Sequence, residues 1–195
     1  VFSPGLKADF IGWDDNFYIA ENPFIAPLAL PTVGAMFSRF YFKSYTPLTL
    51  LSHAIDYRLF GLDPRGHHLV NILIHAANAV WVFLLAMGLF RIVAWHRSPG
   101  EEGGTAPSGG MILCGAAVAA LCFAWHPLRV ESVACASSRK DLLSGFFALP
   151  SLLAYLQYAV LRGDPRARRW YLLSLALFLL ALLAKGSVMV LPGLL

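Results

Sequence analysis

Residues 68–93, HLVNILIHAANAVWVFLLAMGLFRIV, decide how the rest of the chain is read. The run is apolar for long enough to cross roughly 30 Å of hydrocarbon at about 1.5 Å of rise per residue, so it predicts a membrane-spanning helix. Its first half carries His68, Asn71, His75 and Asn78 at offsets of 0, 3, 7 and 10, one narrow stripe of a helix. Polar groups inside a membrane helix are costly unless satisfied, so this stripe is expected to face other helices or a water-filled cavity. Two roles fit it: hydrogen-bonded packing between helices, or direct contact with a substrate.

The composition agrees. Of 195 residues, 58% are hydrophobic and only 13% are charged, about half the charge of an ordinary soluble domain. The formal net charge is +4, but the arginines sit in loops between apolar runs and form no basic stripe with interleaved aromatics, which excludes nucleic acid as a partner. Cys114, Cys122 and Cys135 have the spacing of neither a disulfide framework nor a zinc site.

Further spans are predicted over residues 111–125, 142–161 (with Pro150 as a kink) and 170–184, and residues 186–195 read as the turn into a fifth. Residues 98–109, SPGEEGGTAPSG, read as a flexible loop. No signal peptide is visible, and the chain reads as a fragment that lacks a first helix and whatever follows the last apolar run. The loop 162–169 carries Arg162, Arg166, Arg168 and Arg169 against Asp164 alone, which places it in the cytoplasm. Alternation then puts residues 1–66 and the loop 126–140 together on the extracytoplasmic face.

Residues 1–66 hold many aromatics and most of the prolines, and read as a folded loop rather than a linker. Residues 31–42 and Pro47–Phe60 are short helical candidates. In the second, Thr46 is the expected N-cap, Pro47 the first helical residue and Gly61 the stop. Leu48, Leu51, Ile55 and Leu59 share one face, so this helix either lies in the membrane interface or packs on the loop's own core. The same loop carries adjacent carboxylates, Asp14 and Asp15. Such a pair repels itself when ionised and calls for a cation, a metal or a shared proton, unless it only caps a turn. Mg²⁺ or Mn²⁺ on Asp14 and Asp15 is one option, and no His/Cys cluster points to a tighter metal site.

Several motifs occur in order along nearly the whole chain: Trp13-Asp14-Asp15-Asn16-Phe17-Tyr18, Glu21-Asn22-Pro23, Tyr45-Thr46-Pro47-Leu48-Thr49, Gly66-His67-His68-Leu69-Val70-Asn71, His126-Pro127-Leu128-Arg129, and Arg139-Lys140-Asp141-Leu142-Leu143. In these the chain resembles the multi-pass half of bacterial tetratricopeptide-repeat membrane proteins, and the transmembrane O-mannosyltransferases that target cadherins. The resemblance implies an all-α, multi-pass transmembrane helix bundle of the C-type glycosyltransferase (GT-C) kind. Its first loop would be residues 1–66, extracytoplasmic and containing interfacial helices. Residues 67–195 would form a bundle of about four spans and the start of a fifth.

The implied activity is transfer of a sugar from a polyprenyl-phosphate donor to a hydroxyl, with a protein Ser or Thr as acceptor, by inverting displacement on the extracytoplasmic side. A bacterial inner membrane is the favoured location and the endoplasmic reticulum the alternative. By the same resemblance Asp14 or Asp15 matches the catalytic aspartate, with Asp14 favoured as base. A guanidinium aimed at the leaving phosphate is assigned to Arg139, with Lys140 and Arg129 behind it. The other reading of Arg139 is an ion pair with Glu131 or Asp141 that joins helix ends. His53, His67 and His68 are candidates for phosphate or sugar contact, with Glu131, Asp141, Asn71 and His75 in support. His126 is expected to end a helix, and Lys185 to snorkel. From a different class, a non-catalytic membrane anchor for tetratricopeptide repeats remains the alternative.

Overall fold

A computed structural model describes residues 8–11, 14–26, 28–42, 44–96 and 107–194. Gly12 and Trp13 of the acidic motif, most of the 98–109 loop and Leu195 lie outside the described residues. The fold is the all-α bundle expected, and among the described residues the β pairing is a single bridge between Tyr41 and Ser44. The helices are α1 (Leu30–Ser38), α2 (Pro47–Phe60), α3 (Pro64–His96), α4 (Gly109–Trp125), α5 (Arg129–Ala134), α6 (Arg139–Val160) and α7 (Ala167–Ala184). A π-helix covers Asn16–Ala20 and a 3₁₀-helix covers Gly186–Leu194, where the start of a fifth span was expected.

Among the described residues, three segments are long and apolar enough to cross a membrane: Pro64–Trp95, Ala136–Val160 and Ala167–Ala184. The remaining predicted span is α4, whose 17 residues reach about 25 Å, short of the hydrocarbon thickness. The spans turn apolar side chains outward, Leu69, Leu73, Val80 and Leu84 on α3 and Leu172, Leu175 and Leu179 on α7. In water this surface would be a liability, whereas lipid tails match it. Inside, small residues allow close approach: Ala116, Ala154, Ala181 and Ala184 are buried. Pro150 lies within α6. Beside it, the Ser151 and Ser174 hydroxyls each donate to the other's carbonyl, at 2.8 and 2.9 Å, tying α6 to α7 where the helix lacks an N–H.

α3 and α6 begin, and α4 and α7 finish, at the same end of the bundle. There the Thr49 hydroxyl of α2 donates to the Ala184 carbonyl that closes α7 (3.0 Å). Residues of the first loop pack on this end around Tyr18, Ile19, Ile25, Met36, Leu50, Ala54 and Ala136. Asn22 makes the turn between them, donating to the Tyr18 carbonyl and accepting from the Phe24 N–H.

α2 has the bounds its sequence predicts, with Pro47 at its start and Gly61 beyond its end at φ 62, a conformation that glycine adopts without strain. Its orientation is the reverse of a soluble amphipathic helix. Ile55 and Leu59 are 44% and 67% exposed, and the buried face carries Thr49, His53 and Asp56. The turn into α3 leaves no room at Gly66, where a Cβ would run into the Cβ and ring of Phe60. Gly66→Ala is expected to cost about 1–3 kcal/mol by overpacking, read as a lower melting temperature in detergent.

Candidate functional site

The acidic pair divides its labour. Asp14 is exposed, whereas Asp15 is fully buried. One Asp15 oxygen accepts the Ser137 N–H at 2.8 Å and the Cys135 thiol at 3.4 Å, and the other accepts the Ile11 N–H at 3.0 Å. Asp15 stands at the N-cap of the π-helix without capping it. Its carboxylate instead ties the first loop to the corner between α5 and α6. A second tie is cationic: the Lys140 ammonium sits 5.0 Å from the centre of the Tyr18 ring. Asp14, by contrast, is exposed, and its carboxylate makes no hydrogen bond or ion pair among the described residues.

The two carboxylates do not form a chelating pair, because both oxygens of Asp15 already accept from protein donors. Mg²⁺ or Mn²⁺ held jointly by Asp14 and Asp15 does not fit this arrangement.

Arg139 differs from its expected role at the open face. It is fully buried, and its guanidinium is ion-paired with Asp56 of α2. The remaining donors go to the Asn71 side chain (2.7 Å), the Ser52 hydroxyl (3.1 Å) and the His67 carbonyl (2.8 Å). The ion-pair reading of Arg139 had named Glu131 or Asp141 as partner. The partner is neither: Asp141 pairs with Lys185, which accounts for that lysine without snorkelling, and Glu131 is exposed. A charge placed where hydrocarbon would otherwise be has to be matched by an opposite charge and a full set of acceptors, and α2 and α3 supply both.

His53, His67 and His68 are likewise fully buried. His53 is held well below the usual imidazole range, first by burial and then by the nearby Arg139 and His67 charges. Burial raises Asp56 above the usual carboxylate range, opposed by the Arg139 charge and hydrogen bond. Asn71 donates to the Cys135 carbonyl (3.1 Å) and Asn78 to the Leu142 carbonyl (2.9 Å), and a His75 ring nitrogen lies 3.1 Å from the Ala124 carbonyl. The polar stripe of α3 thus holds the ends of α4 and α6.

The Arg129 guanidinium lies 4.6 Å from the centre of the Phe123 ring. His126 follows the last residue of α4, as a helix-ending residue does. A cavity of 770 Å³ between α3, α6 and α7, walled by Trp81, Met87, Pro150 and Trp170 with Arg91 and Gln157, lies on a different part of the bundle and is largely apolar. Sequence reasoning missed Asp56, Ser52 and Thr49. Their signal is the spacing Thr49, Ser52, His53, Asp56, a polar stripe at offsets 0, 3, 4 and 7 matching the one recognised on α3.

These features define a membrane helix bundle with a buried ion-paired network beneath an exposed acidic corner. The chain is 33% identical over 167 residues to protein O-mannosyl-transferase tmtc2 of Xenopus laevis, a match covering 81% of the chain. It is 36% identical over 156 residues to human protein O-mannosyl-transferase TMTC4, and 31% identical over 167 residues to Drosophila melanogaster protein O-mannosyl-transferase Tmtc3. The resemblance to the transmembrane O-mannosyltransferases is borne out by these relatives. The matches span between 17% and 20% of the three relatives' own length. No family model matches the chain, and no solved structure matches it.

Proposed function

We propose that this chain contributes the acidic end of a membrane-embedded protein O-mannosyltransferase, which moves a sugar from a polyprenyl-phosphate donor to a Ser or Thr hydroxyl on the extracytoplasmic side. The observation that carries the reading is the docking of the acidic segment on the α5–α6 corner, which leaves Asp14 exposed while Asp15 is spent on holding the segment there and Tyr18 of the same segment meets Lys140. The names of the relatives supply the reaction class.

In this reading the Asp14 carboxylate takes the proton of the acceptor hydroxyl as its oxygen bonds to the anomeric carbon. The bond from that carbon to the phosphate oxygen breaks, and its electron pair leaves with the phosphate. Attack from the face opposite the phosphate inverts the carbon. Lys140 is the accessible cation at this corner and takes the phosphate role first given to Arg139. Arg139 acts one layer deeper, by fixing the N-terminus of α6 and hence the Lys140 backbone. Cations near the departing phosphate count most when they stabilise charge that develops during the reaction.

Lys140→Met in the intact protein is expected to lower transfer from polyprenyl-phosphate mannose by about 10²-fold, as for loss of one oxyanion-stabilising group. Stability should change by about 1–2 kcal/mol at most, the worth of a cation–π contact on a buried ring. Undiminished transfer by this variant, in membranes with labelled donor, would remove Lys140 from the site.

A further inference from the structure

We propose a divalent transition-metal site, zinc by its ligand set, built from His53, Asp56 and His67 beneath the acidic corner. The three side chains are buried, and one candidate ligand atom from each lies within 4.8 Å of the others. This site is separate from the Asp14–Asp15 pair and does not depend on the transfer reaction.

The argument rests on which atoms are left over. The His67 Nε2 lies 3.2 Å from the Gly61 carbonyl oxygen, which can only accept, so Nε2 carries the proton and Nδ1 of the neutral ring is a bare acceptor. That Nδ1 faces an Asp56 oxygen, also an acceptor, at 3.6 Å. That oxygen already carries the Arg139 ion pair, so the atom left over in this contact is His67 Nδ1, a buried lone pair with no donor facing it. His53 packs its ring beside that of His67, with centroids 6.0 Å apart. It is fully buried, and among the described residues neither of its ring nitrogens has a hydrogen-bond partner. An unsatisfied buried polar atom costs about 1–3 kcal/mol. A cation bound by one His53 nitrogen, His67 Nδ1 and Asp56 gives a partner to His67 Nδ1 and to one of the His53 nitrogens at once.

The surroundings have the form of an outer shell. The ring N–H of His67 goes to a backbone carbonyl and the carboxylate of Asp56 is held by Arg139, the two devices that orient metal ligands elsewhere. Two imidazoles and a carboxylate make a borderline donor set that suits zinc, with water as a fourth ligand. Tetrahedral zinc sets its ligand atoms about 3.4 Å apart, a contraction within reach of side-chain rotation. A cavity of 250 Å³ between α2, α3 and α6 has Ser52 and Asp56 in its wall and offers an entry path. The guanidinium beside the carboxylate opposes a cation, so binding of moderate strength is expected.

The test uses the intact protein in detergent. Zinc alone, added after chelation, should bind at one equivalent per chain and raise the melting temperature. Cobalt in its place should give the visible absorption of a tetrahedral site with nitrogen and oxygen ligands. His53→Phe keeps the ring volume and removes both nitrogens. It should lose the bound equivalent and make the melting temperature insensitive to zinc and to chelator, while in chelator it melts no lower than the parent protein. Absence of zinc uptake and of a cobalt spectrum in the parent protein would overturn the proposal, and a proton on His67 would then be what separates the acceptors. Retention of one zinc by His53→Phe would overturn it equally. Metal content is read without any transfer assay, so this result and that for Asp14 stand apart.

Discussion

Asp14→Asn in the intact protein is expected to lower mannose transfer by about a hundred- to ten-thousandfold while leaving the melting temperature in detergent unchanged. Asparagine keeps the shape of the side chain but cannot accept the proton of the hydroxyl, and an exposed position with no described bond to lose leaves the fold as it was. Asp15→Asn should behave differently. The amide it introduces keeps one acceptor oxygen, so either the Ser137 or the Ile11 N–H meets a donor where both carboxylate oxygens now accept. A lost buried acceptor costs about 1–3 kcal/mol, so this variant should melt lower and lose transfer because the segment undocks. The pair of measurements separates base from tether. If Asp14→Asn transferred at the parent rate, Asp14 would not be the base. If the double variant did so as well, the enzyme reading would give way to a membrane anchor without catalysis.

Arg139→Ala is expected to destabilise the bundle by about 3–5 kcal/mol, the largest effect on stability predicted for this chain. That is a large share of the roughly 5–15 kcal/mol by which folded domains are stable. Truncation leaves the Asp56 carboxylate buried without its counter-charge, and frees acceptors on Ser52, Asn71 and His67 at once. The cost comes from the orphaned partner, and it should therefore shrink when the partner goes too. Arg139→Met combined with Asp56→Leu is expected to recover most of the loss, since replacing both members of a buried pair by apolar residues is often neutral. Thermal unfolding of the two single variants and the double, in one detergent, measures the coupling. Additive losses would mean that the two residues do not act as a pair. Transfer should fall in the single variants in proportion to the folded fraction, as suits a positioning residue.

The apolar runs made the bundle legible because a helix that crosses lipid must advertise its length and apolarity in consecutive residues. α2 was legible in its bounds for a related reason: Pro47 and Gly61 punctuate locally. Its orientation was not. Leu48, Leu51, Ile55 and Leu59 were read as one apolar face, turned either to the membrane interface or to the loop's own core, with nothing local to choose between them. In the structure Ile55 and Leu59 point outward and Thr49, His53 and Asp56 point in. Periodicity reports that two faces exist, and the solvent decides which of them is buried. The polar stripe of α3 was read correctly as inward because its helix was already known to be in lipid, and the same logic was available for α2.

The amino-acid sequence by itself determined the class of this protein, the position of its membrane helices, the polar stripe on α3 and an acidic pair set apart from them. Only the tertiary structure decided which carboxylate is free, that Arg139 faces Asp56 rather than an open phosphate site, and that His53, Asp56 and His67 converge. The division has a physical cause: span length and helix punctuation are properties of neighbouring residues. Charge pairing in a low-dielectric interior is settled instead between residues as far apart as 56 and 139, by whichever packing leaves the fewest buried charges unmatched.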